Sequence, residues 1–320
     1  MSKNKNMNLG LGTAALGRPQ YINVRQNEVD NSDLENFRKQ SFSVLEDAYK
    51  NGIGYFDTAP GYGLAEELVF NWLKTKNDKS IEIATKWGYT YTANFNPNAK
   101  THEVKEHSLA KLNEQWEFSK QLLPYLKVYQ IHSATLETGV LENQEVLNQL
   151  AFLKKEYNLQ IGLTTSGTNQ VEVIQKGLNV LVDGKQLFDV FQVTYNFLEQ
   201  SLLQIVDELL KQNKKIIIKE ALANGRVFRN ENYPDYQEMY TALENLSKKY
   251  NVGIDAIALK YCEQTISKST VLSGASNKNQ LKENLKLNDF SLTFDDIHLL
   301  NSFKTDAEHY WSERKNLEWN

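Results

Sequence analysis

The stretch Gly54-Tyr55-Phe56-Asp57-Thr58-Ala59-Pro60-Gly61-Tyr62-Gly63 is an apolar run of strand length that ends in a carboxylate and continues into a glycine-rich loop. Two later segments end in the same way, Ile81–Lys86 in an ammonium group and Tyr129–His132 in an imidazole. In a (β/α)8 barrel the reacting groups come from the carboxyl ends of different strands. If the three segments are neighbouring parallel strands, Asp57, Lys86 and His132 converge, with Tyr62 on the loop above them.

Strand-length apolar runs alternate with helical patterns along the whole chain, which predicts βαβ units and a parallel sheet. The predicted strands are Ile53–Phe56, Ile81–Thr85, Val128–Ile131, Gln160–Leu163, Val190–Thr194, Lys215–Ile218 and Thr270–Leu272, with an eighth at Leu9–Thr13. Helical stripes lie between them at Phe42/Leu45/Ala48/Tyr49, Leu147/Leu150/Ala151/Leu153 and Ile254/Ile257/Ala258/Tyr261. No linker divides the chain. We therefore predict an α/β fold, a single (β/α)8 TIM barrel over residues 1–320 with extra loops over its mouth.

Composition excludes several classes of protein. The chain has 320 residues, a net charge of -4 and one cysteine, Cys262, so it has no intrachain disulfide, which suits a reducing cytoplasm. Met1–Gly10 lacks the apolar run of a secretory signal, and no stretch approaches 18 apolar residues. The acidic and basic residues are interspersed without a basic stripe, which argues against nucleic-acid binding. We expect a cytoplasmic protein without a membrane, nucleic-acid or metal partner.

Three segments need separate interpretation. Gly10-Leu11-Gly12 with Gly17 does not have the G-x-G-x-x-G spacing of a dinucleotide fingerprint, Pro19 follows it, and turn glycines are the better interpretation. The insertion Arg18–Ser32 and the aromatic tail Phe303–Asn320 interrupt the alternation. Each either covers the mouth of the barrel or packs as a surface strap.

The converging side chains suit proton transfer to a carbonyl oxygen. A free phenol has a pKa of roughly 10, and a nearby ammonium lowers that value. Lys86 could supply this charge to Tyr62, Asp57 could hold Lys86, and His132 could orient the carbonyl. Each residue also has a structural interpretation: Asp57 as a cap, Lys86 as a rim residue, His132 as a satisfied hydrogen-bond partner and Tyr62 as packing against Pro60. Their joint arrangement favours catalysis.

The sequence Asp57–Glu66 resembles the signature of the aldo-keto reductase superfamily, in which Asp and Tyr stand five apart before Gly and Glu. Ala84–Lys86 resembles the family's lysine strand and Val128–His132 its histidine strand. The likeness continues through Phe191–Asn196 and Leu272–Asn284, and so covers most of the chain. The resemblance implies a (β/α)8 barrel that binds NADP(H) without a Rossmann domain, with Asp57, Tyr62, Lys86 and His132 as the catalytic tetrad and Tyr62 as the general acid.

The resemblance also implies a set of cofactor-binding residues. Gln192 matches a residue that contacts the nicotinamide amide, and the segment from a strand end into a helix start matches the one that holds the adenosine phosphate end. Backbone N–H groups at a helix N-terminus suit anions. The implied cofactor residues are Thr164, Gln192, Lys219, Ser273, Gly274, Ser276, Lys278, Gln280 and Asn284.

The chain departs from the family's pattern at three places. Thr164-Thr165 stands where many members have Ser-Asn for the carboxamide, and Thr165 cannot replace an amide. Lys219-Glu220 stands where many members stack an aromatic ring on the nicotinamide. Ser276 occupies a position that often holds a basic residue for the 2′-phosphate, and Lys278 is close enough to substitute. We favour NADP over NAD on this basis.

The leading hypothesis is an NADP(H)-dependent oxidoreductase that interconverts small aldehydes or ketones and alcohols. Aromatic residues Trp87, Tyr89, Tyr91 and Tyr21 favour a sugar or another polar aldehyde as substrate. A non-catalytic, nicotinamide-sensing partner subunit is one alternative. A Schiff-base lyase or aldolase that uses Lys219 is the other. The sequence predicts neither the reaction direction nor the oligomeric state.

Overall fold

The computed structural model of the protein describes residues 8–18, 34–96 and 98–317. Its centre is a closed barrel of eight parallel strands in the order β1-β2-β3-β6-β7-β10-β11-β12, with β12 returning to β1. The barrel strands are β1 (Leu9–Gly12), β2 (Tyr55–Asp57), β3 (Glu82–Trp87), β6 (Leu126–Ala134), β7 (Gln160–Thr165), β10 (Val190–Thr194), β11 (Lys215–Lys219) and β12 (Ser269–Ser273). The predicted (β/α)8 fold and all eight predicted strands are therefore confirmed.

Helices connect successive barrel strands and form the outer layer. They are α1 (Ala14–Gly17), α2 (Leu34–Lys50), α3 (Ala65–Leu73), α4 (Leu109–Ser119), α5 (Gln144–Glu156), α6 (Gln170–Leu178), α7 (Val206–Lys211), α8 (Gln237–Tyr250), α9 (Ile254–Thr265), α10 (Lys278–Leu285), α11 (Phe294–Asn301) and α12 (Ala307–Lys315). The three predicted apolar stripes lie on α2, α5 and α9, where their residues are buried in the core or partly buried against it.

Side chains fill the barrel in a layer below its mouth. Six buried residues from different strands form one apolar cluster separate from the larger core between strands and helices: Tyr55, Ala84, Val128, Val190, Ile217 and Leu272. Such a layer makes the interior of a TIM barrel a packed core rather than a pore. Chemistry is therefore confined to the rim above it.

The glycines near the N-terminus belong to this packed interior. Gly10 and Gly12 lie within β1 and do not form a turn, so that part of the sequence interpretation was wrong. A Cβ on Gly10 would lie 2.9 Å from side-chain atoms of both Leu272 and Tyr55. The strand pairs with β2 and β12 on its two sides, which agrees with rejecting a dinucleotide fingerprint.

Two short antiparallel ribbons supplement the barrel: β4 (Tyr89–Tyr91) with β5 (Glu103–Lys105), and β8 (Leu181–Val182) with β9 (Lys185–Gln186). The first follows β3 directly and rises over the carboxyl end of the barrel. Of the interrupting segments, residues 19–33, which include Tyr21, and Trp319 lie outside the described residues. Among the described residues, no helix combines the length and apolar character needed to span a membrane.

Candidate active site

Two glycines bring the loop that carries Tyr62 against the end of α1, the short helix after the first strand. Pro60–Tyr62 form a short 3-10 turn, and the N–H of Leu64 donates to the carbonyl of Gly17 at 2.9 Å. A Cβ on Gly17 would lie 1.9 Å from the Tyr62 carbonyl oxygen, and Gly63 has a φ of 62°. Glycine adopts a positive φ readily because it has no Cβ, and for the same reason it allows two backbones to approach closely. This close approach fixes Tyr62 at the rim.

Asp57 and Lys86 form a buried ion pair at the carboxyl ends of neighbouring strands. Lys86 Nζ contacts Asp57 Oδ2 and also donates to the Thr58 carbonyl at 3.1 Å, and the two side chains are 0% and 3% exposed. Asp57 Oδ1 accepts from Gln192 Nε2 at 2.8 Å and from Gln130 Nε2 at 3.3 Å. A buried ion pair is stable only when further hydrogen bonds satisfy it, and these two amides do so for the carboxylate.

Tyr62 lies among cations. Its ring centroid is 4.7 Å from Lys86 Nζ, 5.3 Å from the Arg18 guanidinium carbon and 5.3 Å from the edge-on imidazole of His132. Burial, followed by the charge of Asp57, nevertheless raises the pKa of Tyr62 well above its ordinary value, with Arg18 opposing the shift. The expectation that Lys86 lowers this pKa was wrong, because Asp57 pairs with Lys86 and burial dominates. Tyr62 is thus a neutral phenol, able to donate a proton.

His132 is a neutral imidazole. Burial, and then the positive charges of Lys86, Arg18 and Lys219, hold its pKa well below its ordinary value. Its Nδ1 is buried and has no hydrogen-bond partner among the described residues. The next residue, Ser133, has a φ of 51°, at an irregularity in the pairing of β6 with β7. A buried ring nitrogen without a partner beside Tyr62 is suited to bind a ligand oxygen.

The β4–β5 ribbon holds the end of β6 from the solvent side. The Tyr89 ring lies 4.6 Å from that of His132, and Lys105 Nζ donates to the Ser133 carbonyl at 3.1 Å. Just past the ribbon, His107 Nε2 donates to the His132 carbonyl at 2.9 Å. Burial lowers the pKa of His107 to about 4, so this histidine is neutral as well.

The same ribbon also accounts for the position of Arg18. The Arg18 side chain is 3% exposed, and its Nη1 lies 2.9 Å from Glu103 Oε2. Tyr91 lies below the guanidinium, 5.9 Å from centroid to Cζ. Trp87, in contrast, is fully buried and packs against His107, so it is not available to a substrate as the sequence suggested.

Glu66 is buried directly behind the lysine strand. Its Oε1 accepts from Thr85 Oγ1 at 2.6 Å and from Ser119 Oγ at 2.8 Å. Burial raises the pKa of Glu66 to about 7, although these hydroxyls and the Lys86 charge oppose the shift. The carboxyl therefore ties β3 to α3 and α4, beside Lys86.

The two threonines at the end of β7 face different ways. Thr164 Oγ1 accepts from the N–H of Ser133 at 2.7 Å and so stabilises the bend after His132. Thr165 Oγ1 donates to Gln170 Oε1 at 3.3 Å, on the helix side. Thr165 is fully buried there, so it is occupied structurally.

Lys219 and Glu220 occupy the end of β11. Lys219 Nζ donates to Thr194 Oγ1 at 2.8 Å and to Ser166 Oγ at 3.3 Å. Glu220, at a φ of 58°, pairs with Arg314 of α12 at 3.0 Å. Burial opposes ionisation of Glu220, but the charges of Arg314 and Lys219 lower its pKa to about 2.

The C-terminal helix α12 is anchored to the same end of the barrel. Tyr310 Oη accepts from Asn196 Nδ2 at 3.0 Å, and Arg226 Nη1 donates to the Tyr310 carbonyl at 3.1 Å. The fully buried Arg226 also pairs with Glu313 at 2.8 Å. The described part of the aromatic tail therefore packs against the carboxyl ends of β10 and β11.

The junction of β12 and α10 is internally ordered. The Asn284 amide lies 2.7 Å from Ser273 Oγ, and Gln280 Oε1 accepts from the N–H and Oγ of Ser276 at 2.9 and 3.0 Å. Gly274 is exposed, and a Cβ there would meet no atom within 4 Å. The exposed Gly274 thus follows the end of β12, leads towards the start of α10 and borders open space.

Lys278 lies apart from this cluster. Its Nζ is 3.0 Å from Asp47 Oδ2 of α2, and the side chain is 55% exposed. The structure thus brings together the four predicted catalytic side chains with Gln192 and Lys219 near them. Ser273, Gly274, Ser276, Gln280 and Asn284 form a second group on the β12 side of the rim, with Lys278 on its outer edge.

Sequence reasoning missed Arg18 and Gln130 as parts of the site. It named Tyr89 and Tyr91 as aromatic residues for a substrate but missed the ribbon that places Tyr89 against His132. Gln130 stands two residues before His132 on one strand, and residues at that spacing share a face. That signal was available. Arg18 and Tyr89 reach the site through the positions of loops, for which the alternation of strands and helices gives no signal.

Comparison with known proteins agrees with this fold. The model of the Aldo/keto reductase family matches residues 8–305. The NADH-specific methylglyoxal reductase of Escherichia coli K12 is 24% identical, covering 91% of this chain and 93% of its own. The L-galactose dehydrogenase of Arabidopsis thaliana is also 24% identical, with 76% of each chain covered.

Solved structures share the fold. A glycerol dehydrogenase from Gluconobacter oxydans superposes with a TM-score of 0.70 at 21% identity, covering 92% of this chain and 90% of its own. The holo form of an aldo-keto reductase from Bacillus halodurans gives 0.69 at 20% identity, covering 93% and 92%. The family match spans nearly the whole described barrel, including the four converging side chains. This chain therefore belongs to the aldo/keto reductase family.

Proposed function

We propose that the protein is a nicotinamide-dependent reductase of small aldehydes or ketones, with Tyr62 as its proton donor. The observation that carries the proposal is the cluster of a neutral phenol, a buried Asp57–Lys86 pair and a neutral imidazole at one point of the rim. General acid catalysis of this kind contributes roughly 10²–10⁴-fold to a rate.

The site has features that fit a nicotinamide dinucleotide. His132 Nδ1 lacks a partner within the described residues, and Gly274 borders open space next to the start of α10. Both lie on one rim, because His132 and Gly274 stand at the carboxyl ends of β6 and β12, two strands of the same parallel barrel. Gln192, Ser273, Ser276, Gln280 and Asn284 are the residues that would hold the cofactor, as its amide and phosphate groups need hydrogen-bond donors.

Each side chain has a role in reduction. The bound cofactor supplies a hydride to the carbonyl carbon. Tyr62 Oη gives its proton to the carbonyl oxygen, which His132 orients by donating a hydrogen bond. Lys86, 4.7 Å from the centroid of the Tyr62 ring, stabilises the phenolate that remains, and Asp57 holds Lys86 in place. Proton return from solvent restores Tyr62.

Tyr62→Phe tests the chemistry. We expect turnover of a reactive aldehyde such as a nitrobenzaldehyde to fall by about 10³-fold, while affinity for the cofactor is unchanged, because only the hydroxyl is lost. Tyr157→Phe is the matched control, since Tyr157 packs against Trp116 at the C-terminal end of α5, away from the rim. A Tyr62→Phe variant as active as the wild type would refute the assignment of the acid. Cofactor binding without turnover of any carbonyl in the wild type would instead indicate a sensing subunit.

NADP is the cofactor we propose, with Lys278 as the cation for the 2′-phosphate. Lys278 is exposed, and its partner Asp47 is a surface carboxylate that a phosphate could replace. Lys278→Met should weaken NADPH binding and leave NADH binding unchanged, as measured by fluorescence titration. Equal affinities for NADPH and NADH in the wild type would contradict this preference. The similarity to an NADH-specific enzyme makes that comparison necessary.

The substrate that we propose is a small polar aldehyde. Tyr89 and Tyr91 are half-buried beside His132 and Arg18, and can pack against a short polar molecule. The methylglyoxal, galactose and glycerol named for the similar proteins are small and polar as well. A panel of short hydroxyaldehydes against long alkyl aldehydes tests this, and higher kcat/KM for the alkyl series would refute it.

A further inference from the structure

Lys219 is a partly buried cation, 17% exposed, whose charge is only partly compensated; burial lowers its pKa and the charge of Glu220 opposes that shift. The groups within hydrogen-bond distance of its Nζ are two hydroxyls, Thr194 Oγ1 and Ser166 Oγ. The carboxylate of Glu220 lies farther away, at 3.7 Å, and its closer partner is Arg314 at 3.0 Å. Hydroxyls supply dipoles but no negative charge, so positive potential remains around Lys219.

Lys86 and Arg18 are neutralised more closely than Lys219. Lys86 is in direct contact with Asp57, and Arg18 lies 2.9 Å from Glu103. Lys219 nevertheless lies beside the same space, because its partner Ser166 Oγ is 3.4 Å from the Oγ of Ser133, the residue after His132. The charge of Lys219 is accordingly among those that hold the pKa of His132 low. Lys219 is therefore a source of only partly compensated positive charge on the β11 side of the rim.

This charge has a consequence for the cofactor. Reduction places a hydride and a proton on the two ends of one carbonyl bond, so a nicotinamide ring that served Tyr62 would bind at this rim, within the field of Lys219. The oxidised ring carries a positive charge, whereas the reduced ring is neutral. Like charges in a partly buried site repel strongly, and water screens them little.

We propose that Lys219 makes the site distinguish the two redox states of the cofactor, binding the reduced form more tightly than the oxidised form. The inference rests on the proposed function and adds direction to it. Weak binding of the oxidised form speeds its release after carbonyl reduction. It also disfavours the reverse reaction, which must begin with the oxidised form bound. Lys219 thus favours carbonyl reduction over the reverse reaction when the concentration of cofactor is limiting.

The test compares dissociation constants and needs no turnover. NADPH is titrated by its fluorescence, and NADP+ by displacement of NADPH, against the wild type, Lys219→Met, Lys219→Arg and Lys215→Met. Lys215 is the matched control, because it stands at the other end of the same strand, paired with Glu82. Melting temperatures establish that each variant is folded.

We expect the wild type to bind NADPH more tightly than NADP+. Lys219→Met should reduce the ratio of the two dissociation constants by about tenfold, mainly by binding NADP+ more tightly. Glu220 offsets the rest of the repulsion. Lys219→Arg and Lys215→Met should keep the wild-type ratio. An unchanged ratio in Lys219→Met, or equal weakening of both forms, overturns the inference and leaves the proposed function intact. A folded wild type that binds neither NADP(H) nor NAD(H) overturns the proposed function itself.

Discussion

The two walls of the barrel mouth are built differently. The wall formed by the ends of β2, β3 and β6 carries Asp57, Lys86 and His132 and matches the family's pattern at each of these positions. The wall formed by β10, β11 and α12 departs from it, with Lys219 and Glu220 where the family often has an aromatic ring.

The difference follows from what each wall must do. Proton transfer requires particular ionisable groups at fixed positions, and few substitutions preserve both pKa and geometry. A wall that only contacts a ligand can exchange one set of interactions for another. In the second wall two ion pairs, Glu220–Arg314 and Arg226–Glu313, hold the segment after β11 to the C-terminal helix α12.

The largest effect is expected in the first wall, from Lys86→Met. We expect a loss of about 10³-fold in kcat, because the phenolate loses its cation. The free energy of unfolding should fall by about 3–5 kcal/mol, because Asp57 remains as a buried charge without its partner. Rates with a nitrobenzaldehyde and urea denaturation measure the two quantities.

The double variant Asp57→Asn/Lys86→Met sharpens this expectation. The losses of stability from the two single changes should not add, and the coupling free energy should be roughly 1–3 kcal/mol. Strict additivity would mean that the buried pair does not act as a unit.

Gly17→Ala should displace the loop that carries Tyr62 in the first wall without changing an ionisable group. The new Cβ would lie 1.9 Å from the Tyr62 carbonyl oxygen, so the loop must move. Misplacing a catalytic group by an ångström costs about 10²-fold in rate, and we expect a fall of that order in kcat. Gly54→Ala is the control, because its Cβ would meet only Ser80 O at 3.6 Å. A wild-type kcat in folded Gly17→Ala would show that this contact does not position Tyr62.

Glu66→Gln tests the layer behind the first wall. The folded state raises the pKa of Glu66 from 4.5 to about 7, so the protonated form stabilises the fold fully below pH 4.5. That contribution is lost as the pH rises towards 7, by up to about 3 kcal/mol. Relative to the wild type, Glu66→Gln should therefore gain stability between pH 5 and pH 8. Glu67→Gln, at an exposed neighbouring position, should not, and a constant difference between Glu66→Gln and wild type would contradict the prediction.

The smallest effect is expected in the second wall, from Arg314→Gln. Loss of this partner should cost about 1–2 kcal/mol at pH 7 with little change in kcat. The pKa of Glu220 is lowered to about 2 in the fold, so its stabilising contribution is present above pH 4.5 and lost as the pH falls towards 2. The acid transition of Arg314→Gln should be shallower than that of the wild type or of Lys315→Gln, measured by circular dichroism. An unchanged transition would remove Arg314 as the cause.

Much of the fold and of the first wall could be predicted from the sequence because both depend on short-range patterns. Strands alternate with helices, and Asp57, Lys86 and His132 directly end apolar runs. The pKa of Tyr62 could not be predicted in direction, because it depends on the balance between burial and a charge already paired with Asp57. Similarly, the sequence placed Trp87 among exposed aromatics, whereas packing against His107 buries it.

The sequence by itself determined the order of the strands, the three polar residues at their ends and Tyr62 on the loop above, because strand periodicity and chain order specify a (β/α)8 barrel and its rim. Only the tertiary structure decided the electrostatics of that rim. Arg18, Glu103, Glu220 and Arg314 come from distant parts of the chain, and their effects depend on distances and burial that arise when the barrel closes.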